Sequence, residues 1–184
     1  MTDTPITATP ADIVAFWRAA GPEKWFKKDD GFDRSIREKF LATYEAAAAE
    51  RLSAWEATPE GALALLLLLD QFPRNMFRND ARTFATDPLA RGIAARALTR
   101  GFDAAMGDLR SFFFLPFEHS EDMADQDLAL ALYRAAGDAD GLKWAEIHAD
   151  IIRRFGRFPH RNKVLGRATT PEEQAFLDGG GFSG

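Results

Sequence analysis

The sequence contains no cysteine, and this absence excludes several kinds of site. A disulfide framework, a thiolate-bound zinc or iron–sulfur centre and a cysteine nucleophile all need that residue. Long hydrophobic runs are also missing: the longest covers Ala62–Leu69, whereas a membrane-spanning helix needs about 20 apolar residues. The polar N-terminus does not resemble a targeting signal. We therefore expect a cytoplasmic protein with no membrane contact.

An excess of positive charge is the third feature that the chain lacks. Lys and Arg total 23 against 28 Asp and Glu, so the formal net charge is −5. Nucleic acid is a disfavoured partner, because proteins that bind it over a whole face are usually basic. The distribution is uneven, however, since residues 153–167 hold five Arg and one Lys without any acidic residue. This local charge of +6 makes the segment a candidate for binding an anion.

The overall composition is that of an ordinary globular protein. The chain has 184 residues, of which 46% are hydrophobic and 28% are charged. Both values are typical of a folded domain, and the length corresponds to one domain. We therefore predict a single domain over residues 1–184. Its ends, residues 1–8 and 179–184, are expected to be mobile tails unless they dock.

Helix signals recur along the chain, and strand signals are almost absent. The pairs Thr9-Pro10 and Thr58-Pro59 are typical of an N-cap followed by the first helical residue. Thr170 followed by Glu173 predicts a capping box, and Ser120 predicts another N-cap. These signals predict an all-α protein with roughly seven or eight helices, stacked as antiparallel hairpins.

Three polar segments interrupt these helices, and the first covers residues 70–75. Arg74 has the planar, bidentate chemistry that suits a carboxylate or a phosphate, and Asp70 and Asn75 lie beside it in sequence. A structural interpretation stays open. In that interpretation Pro73 ends the apolar helix, and Arg74 or Asn75 hydrogen-bonds its last carbonyl groups.

The second segment covers residues 116–121 and contains a histidine between carboxylates. His119 precedes a predicted helix, so it is a candidate general acid or base. Glu118 or Glu121 would then influence its protonation. The alternative is structural, with Ser120 capping the helix and His119 hydrogen-bonding in a loop.

The third segment is the basic one, residues 153–167. Arg153 and Arg154 fall in the last turn of a predicted helix, where the helix dipole favours cations. The other cations lie beyond the helix and have no such explanation: Arg157, His160, Arg161, Lys163 and Arg167. With phenylalanines between them, they suit phosphates, acidic peptides or single-stranded nucleic acid. The alternative is a loop whose charges pair with acids elsewhere in the chain.

Histidine is scarce and occurs only at positions 119, 148 and 160. No two of these positions have the spacing of a helical metal site, and the glycine motifs that bind phosphates or dinucleotides are missing. We therefore predict no metal site and no cofactor. His148 lies on the apolar side of a predicted helix, which is typical of a hydrogen-bonded core histidine.

Taken together, the three polar segments resemble the bacterial domain-of-unknown-function family 924. The motifs that carry the resemblance lie at residues 70–75, 115–121 and 154–162. The resemblance extends from about Ile13 to Phe182. It implies a tetratricopeptide-like all-α superhelix, although the repeat consensus of that fold is missing here. It implies no particular activity.

The main hypothesis for function is a binding module with a concave pocket. Its ligand would be a phosphorylated or carboxylated small molecule, or the end of an acidic peptide. The predicted ligand-binding residues come from the first and third segments: Asp70, Arg74, Asn75, Arg154, Arg157, Arg161, Asn162 and Arg167.

The alternative hypothesis is an enzyme in the same pocket, a hydrolase or transferase that acts on a phosphorylated metabolite. The predicted catalytic residues are His119, His160, Glu118 and Glu121. A third hypothesis is an RNA-associated or protein-partner scaffold that uses the basic segment. The net charge counts against the RNA version. The sequence does not specify an oligomeric state.

Overall fold

The computed structural model describes residues 8–182, and all regular structure within that range is helical. The α-helical segments are α1 Pro10–Ala20, α2 Pro22–Trp25, α3 Asp30–Ala48, α4 Pro59–Leu66, α5 Phe72–Met76, α6 Asp87–Thr99, α7 Leu115–Glu118, α8 Met123–Ala136, α9 Ala139–Phe155 and α10 Pro171–Asp178. Other helical turns cover Ser53–Ala57, Leu67–Gln71, Ala81–Thr83, Asp103–Phe113 and Pro159–Arg161.

The absence of strands from residues 8–182 confirms the prediction of an all-α fold. The described helices outnumber the predicted seven or eight because α2, α5 and α7 are each only four or five residues long. Such short turns leave little periodic signal in a sequence. The tetratricopeptide-like arrangement stays a prediction.

The first compact unit comprises residues 8–78 and 82–116 of the described range, and most of α4 is buried in it. Every residue from Gly61 to Leu66 is buried, as expected for a helix that is apolar on all sides. This helix packs against α1, α6 and the turns at Asp103–Phe113. The apolar run therefore supplies the core of this unit.

The apolar helix does not end at Pro73, contrary to the sequence-based expectation. After α4 the chain widens into a π-helical turn, Leu67–Gln71, and continues into α5, where Pro73 lies in the first turn. Proline is tolerated there because the first-turn amide has no partner within its own helix. The π-turn separates the two helical segments, so α5 has a first turn of its own.

The second compact unit comprises residues 79–81 and 117–182. Its main helices, α8 and α9, pack against each other and are joined through Gly137 and Asp138. Gly137 has a φ of 68°, the left-handed conformation that glycine adopts without a steric cost. The core of this unit is built on Ile151, Ile152 and Phe158.

Helix starts were predicted well where the cap is local. Thr9 is the predicted N-cap and also forms a capping box with Asp12, Thr170 forms the predicted capping box, and Thr58 accepts a hydrogen bond from the Gly61 amide. The prediction for Ser120 was wrong, because α8 begins two residues later and its N-cap is Asp122. The Asp122 side chain accepts from the Ala124 amide, which satisfies one of the free donors at the helix start.

The predicted tails lie partly outside the described residues, which exclude 1–7, 183 and 184. Ala8 is buried, and Phe182 packs against the core of the second unit. The C-terminal segment therefore docks through Phe182. This tail was expected to be mobile unless it docked, so the exception applies at Phe182. The single-domain expectation stays a prediction. In the described part of the chain, no helix has both the length and the apolar character needed to cross a membrane.

Candidate functional site

All three histidines of the chain belong to the second unit, where aromatic contacts connect them. The ring centroids of His119 and His148 lie 6.4 Å apart. Phe182 contacts His148 at 4.5 Å and His160 at 5.3 Å between centroids. Phe158 contacts the same two imidazoles at 5.5 and 5.7 Å. We call these five residues the histidine cluster.

A buried carboxylate lies against the central imidazole of this cluster. Glu118 Oε1 is 3.0 Å from His148 Nδ1, and both side chains are less than 10% exposed. The backbone carbonyl of Trp144 lies 2.8 Å from the same nitrogen. Because a carbonyl oxygen only accepts hydrogen bonds, Nδ1 carries the proton and donates it. In the neutral imidazole, Nε2 then presents its lone pair on the opposite edge of the ring.

Local structure explains how these two side chains are positioned. His148 lies in the middle of α9 on its buried face, one turn after Trp144. Glu118 ends α7, and the chain after it is fixed by Gln126, which is fully buried. The Gln126 side-chain amide donates to the carbonyls of Glu118 and Ser120 at 2.7 Å each. This contact fixes the backbone that carries Glu118.

The Glu118–His148 pair differs from the pairing that the sequence suggested. Glu118 or Glu121 was expected to influence His119, whereas the Glu118 carboxylate contacts His148, 30 residues away. His148 is buried, in agreement with its position on the apolar side of the helix. His119 and His160 are both partly buried. No local signal in the sequence indicates a pair with this separation.

The Ser120 hydroxyl is hydrogen-bonded within the turn before α8. Its hydroxyl donates to Asp125 Oδ2 at 2.6 Å and accepts from the Asp122 amide at 3.2 Å. These contacts shape the turn before α8. They give Ser120 a structural role next to the cap of that helix.

Arg157 of the basic segment is paired with a carboxylate from α10. Its guanidinium makes two hydrogen bonds to Glu173, at 2.6 and 2.8 Å. Glu173 also accepts from the Thr170 amide and from the Asn162 side chain. The hydrogen bond from Arg157, helped by these donors, lowers the pKa of Glu173 to about 2 despite its burial. Arg157 and Asn162 therefore stabilise the fold at this position.

Arg167 is paired in the same way with Glu121. The two side chains make hydrogen bonds at 2.7 and 3.0 Å, and Glu121 also accepts from the Phe158 amide at 2.8 Å. Burial alone would raise the pKa of Glu121, but these hydrogen bonds and the nearby charges of Arg167 and Arg161 lower it. Glu121 contacts Arg167 and the Phe158 amide. These contacts do not support an acid–base role for Glu121 beside His119.

The other two predicted arginines of this segment stack on aromatic rings. The guanidinium of Arg161 lies 4.4 Å from the centroid of Phe158, and the residue is 7% exposed. Arg154 lies over Phe155 and Phe176 and forms an exposed pair with Asp150 at 3.5 Å. Arg161 is thus a buried cation that shares the Phe158 ring with two members of the histidine cluster.

The first polar segment belongs to the first unit and is also paired internally. Arg74 makes two hydrogen bonds to Asp87, each 3.0 Å, and contacts the backbone and the carboxylate of Asp70. Burial opposes the charge of Arg74, but the two carboxylates outweigh it and raise its pKa. Asn75 donates to Asp33 at 2.8 Å. These contacts agree with the structural interpretation of the segment.

The structure thus gathers the predicted residues into groups within each unit. The second and third segments together build the surroundings of the histidine cluster, and the first segment builds a salt-bridge network around Arg74. The convergence of all three segments on one pocket stays a prediction. Within residues 8–182, no group of three or more His, Asp or Glu side chains is arranged to hold a metal ion.

Comparisons with known proteins identify relatives without a described activity. The family described as "Bacterial protein of unknown function (DUF924)" matches residues 13–181. A solved structure of a protein of unknown function from Agrobacterium tumefaciens is 52% identical, with a TM-score of 0.90. The match covers 92% of this chain and 97% of the other. No curated protein matches the chain.

Proposed function

The chain belongs to the DUF924 family of bacterial proteins of unknown function, and we propose that it is a hydrolase whose active site is the histidine cluster of the second unit. Because the relatives carry no described activity, the proposal rests on the site itself. The reaction class is hydrolysis of a carboxylic or phosphoric ester of a small molecule.

The observation that carries this proposal is the Glu118–His148 pair. A buried carboxylate next to Nδ1 orients the imidazole and stabilises the imidazolium that forms when Nε2 takes up a proton. A histidine with only a packing role needs one acceptor for its Nδ1–H group, and the Trp144 carbonyl already provides it. The Glu118 carboxylate is a second acceptor at the same nitrogen. The pair therefore favours an acid–base role over a packing role.

Water is the nucleophile in this proposal. The chain has no cysteine, and the Ser120 hydroxyl is hydrogen-bonded to Asp125. Nε2 of His148 removes a proton from water as the water oxygen bonds to the carbonyl carbon or the phosphorus. The bond to the leaving alcohol breaks, and the alcohol oxygen takes a proton from His119 or His160. The products are the acid and the alcohol.

Arg161 supplies the positive charge for this reaction. Its guanidinium lies on the Phe158 ring, which also contacts His148 and His160. A buried cation at this position would stabilise the negative charge that develops on the substrate oxygen in the transition state. Arg157 and Arg167 are committed to carboxylates and are not needed for the chemistry.

Binding of an organic anion without turnover is the second candidate function. Arg154 favours it, because half of its side chain is exposed and its carboxylate partner, Asp150, is exposed as well. An RNA-binding scaffold has less support. All five arginines in the basic segment are buried or paired with a carboxylate of the same unit, which leaves little of the charge for a polyanion.

Turnover of a small ester panel tests the hydrolase proposal. The panel contains p-nitrophenyl acetate, p-nitrophenyl butyrate and p-nitrophenyl phosphate, measured with wild type, His148→Gln and Glu118→Gln. Loss of the general base is expected to lower kcat at least about 100-fold. Glu172→Gln, the same change at an exposed glutamate of α10, is the matched control and keeps the wild-type rate.

Two results would contradict the proposal. One is a wild-type protein that hydrolyses no member of the panel. The other is a His148→Gln variant with the wild-type rate. A melting curve for each variant separates loss of chemistry from loss of folding, because Gln at either position keeps a polar group of similar size.

A further inference from the structure

A surface groove of the second unit adjoins the histidine cluster. Its volume is about 380 Å³, within the range of small-molecule sites. The floor is apolar and consists of Ile147, Ile151, Phe176 and Phe182. The rim carries charged side chains on α9, Lys143, Glu146 and Asp150. From Lys143 to Ile151 the helix rises about 12 Å, which sets the length of the groove along α9.

Phe182 is shared between the groove and the histidine cluster. Its ring lines the groove and also contacts His148 and His160. A molecule that fills the groove therefore ends one aromatic ring away from two imidazoles. The ring follows Gly179, Gly180 and Gly181, whose backbone amides donate hydrogen bonds to carbonyls at the end of α10.

The charged side chains on the rim differ in whether they have an ion-pair partner. Glu146 has Arg134 as a partner at 3.6 Å, and Asp150 has Arg153 and Arg154 at 3.6 and 3.5 Å. Lys143 forms no ion pair within the part of the chain that the structure describes. The rim thus offers one cation that has no carboxylate of its own. A ligand with a negative group at this end of the groove would complete the pairing.

We propose that the groove binds the apolar body of the substrate, an organic anion with an acyl or aryl chain. The anionic group lies at Lys143, the chain follows Ile147 and Ile151, and the ester lies at Phe182 beside the histidines. This inference rests on the proposed hydrolase function, and it adds the substrate class. The apolar floor favours the chain, and the single unpaired cation selects an acid over an amine.

Binding of octanoate, with octylamine as the comparison of opposite charge, tests the groove without any turnover. Calorimetric titration of the full chain is expected to detect octanoate and to give weaker binding or none for octylamine. Lys143→Glu should weaken octanoate at least about fivefold and strengthen octylamine. Ile147→Glu should abolish octanoate binding, because it places a charge in the apolar floor. Lys27→Glu, the same charge reversal at an exposed lysine of the first unit, should leave both affinities unchanged.

The proposal is overturned if wild type binds no octanoate, if it binds octylamine equally well, or if Lys143→Glu leaves both affinities unchanged. His148→Gln separates this result from the hydrolase proposal, since it should bind octanoate with the wild-type affinity and hydrolyse no ester. Octanoate binding together with an absence of ester turnover would contradict the hydrolase alone. Ester turnover without octanoate binding would contradict the groove alone.

Discussion

Two similar segments, one in each unit, have different surroundings. Residues 72–75 read Phe-Pro-Arg-Asn, and residues 158–162 read Phe-Pro-His-Arg-Asn. In both, the phenylalanine is fully buried and the proline lies in the first turn of a short helical segment. In both, the asparagine side chain donates to a carboxylate, Asp33 or Glu173. The shared phenylalanine, proline and asparagine therefore have the same structural roles in both segments.

The two segments differ in two respects. The second contains an additional histidine, His160, and its arginine, Arg161, has different neighbours from Arg74. Arg74 of the first unit has two carboxylates, Asp70 and Asp87, within 3.5 Å. Arg161 of the second unit lies on an aromatic ring that also contacts two histidines. The two ion pairs of Arg74 stabilise the fold of the first unit. Under the proposed function, the first segment has a structural role and the second takes part in the reaction.

Removal of Asp70 should have the largest effect on stability. The carboxylate is 1% exposed, and Asp70→Ala leaves part of the charge of Arg74 without compensation. We expect a loss of about 3 kcal/mol or more, which is roughly 6–12 °C in melting temperature for a chain of this size. Ester turnover below the melting temperature should be retained, since this segment has no part in the proposed chemistry.

The control for Asp70→Ala is Asp108→Ala, which breaks the exposed pair with Arg18 and should cost less than about 1 kcal/mol. Equal melting temperatures for Asp70→Ala and wild type would contradict the structural role of the first segment. A folded Asp70→Ala protein without turnover would contradict the division between the two segments.

Glu173→Gln should have the next largest effect. The change removes the charge from two hydrogen bonds with Arg157 and weakens those with Thr170 and Asn162. We expect a loss of about 2 kcal/mol in denaturant unfolding. Glu172→Gln, in the same turn but exposed, should change stability by less than about 0.5 kcal/mol. Equal effects of the two substitutions would show that the Arg157–Glu173 pair contributes no more than a surface charge.

Acid unfolding should reveal the two paired glutamates of the second unit. The pKa of Glu173 is about 2 and that of Glu121 is lowered, against 4.5 for an unperturbed glutamate. The unfolded chain takes up protons first as the pH falls. The stability from these pairs is therefore fully present above about pH 4.5 and is lost progressively toward pH 2. In melting curves recorded at a series of pH values, the melting temperature of Glu173→Gln should fall less steeply over this range than that of wild type. Parallel falls would contradict the lowered pKa of Glu173.

Thr170→Ala should have the smallest effect. Its hydroxyl accepts from the Glu173 amide, and its loss removes half of the capping box of α10. We expect a loss of about 1 kcal/mol in thermal unfolding. Thr99→Ala, at the end of α6 where the hydroxyl bonds only a carbonyl one turn back, should be nearly neutral. If Thr170→Ala and Thr99→Ala have the same melting temperature, the cap does not contribute to holding Glu173 in place.

The parts of the fold that depend on neighbours in sequence were predictable. The caps at Thr9 and Thr170 and the centrally buried α4 follow from three- and four-residue patterns. Pro73 shows the limit of such patterns, because its effect depends on the π-turn before it. Ser120 fits an N-cap by composition, but its hydroxyl contacts Asp125 and the cap passes to Asp122.

The candidate site was predictable only in part, because its contacts join distant residues. The segments that carry Glu118, His160 and Arg161 were identified, but the partner of Glu118 is 30 residues away at His148. In the sequence, the basic segment carries a charge of +6 because it contains no acid. Its acids, Glu121 and Glu173, come from outside the segment. Charge counted along a sequence overestimates what remains for a ligand once the chain is folded.

The protonation of His148 tests the central claim most directly. With only three histidines, long-range ¹H–¹⁵N spectra of the labelled protein give three imidazole patterns, and His148→Gln identifies the one that belongs to His148. We predict that neutral His148 carries its proton on Nδ1, facing Trp144 and Glu118, with Nε2 unprotonated. A proton on Nε2 at neutral pH would mean that no base faces the substrate, and it would contradict the proposed active site.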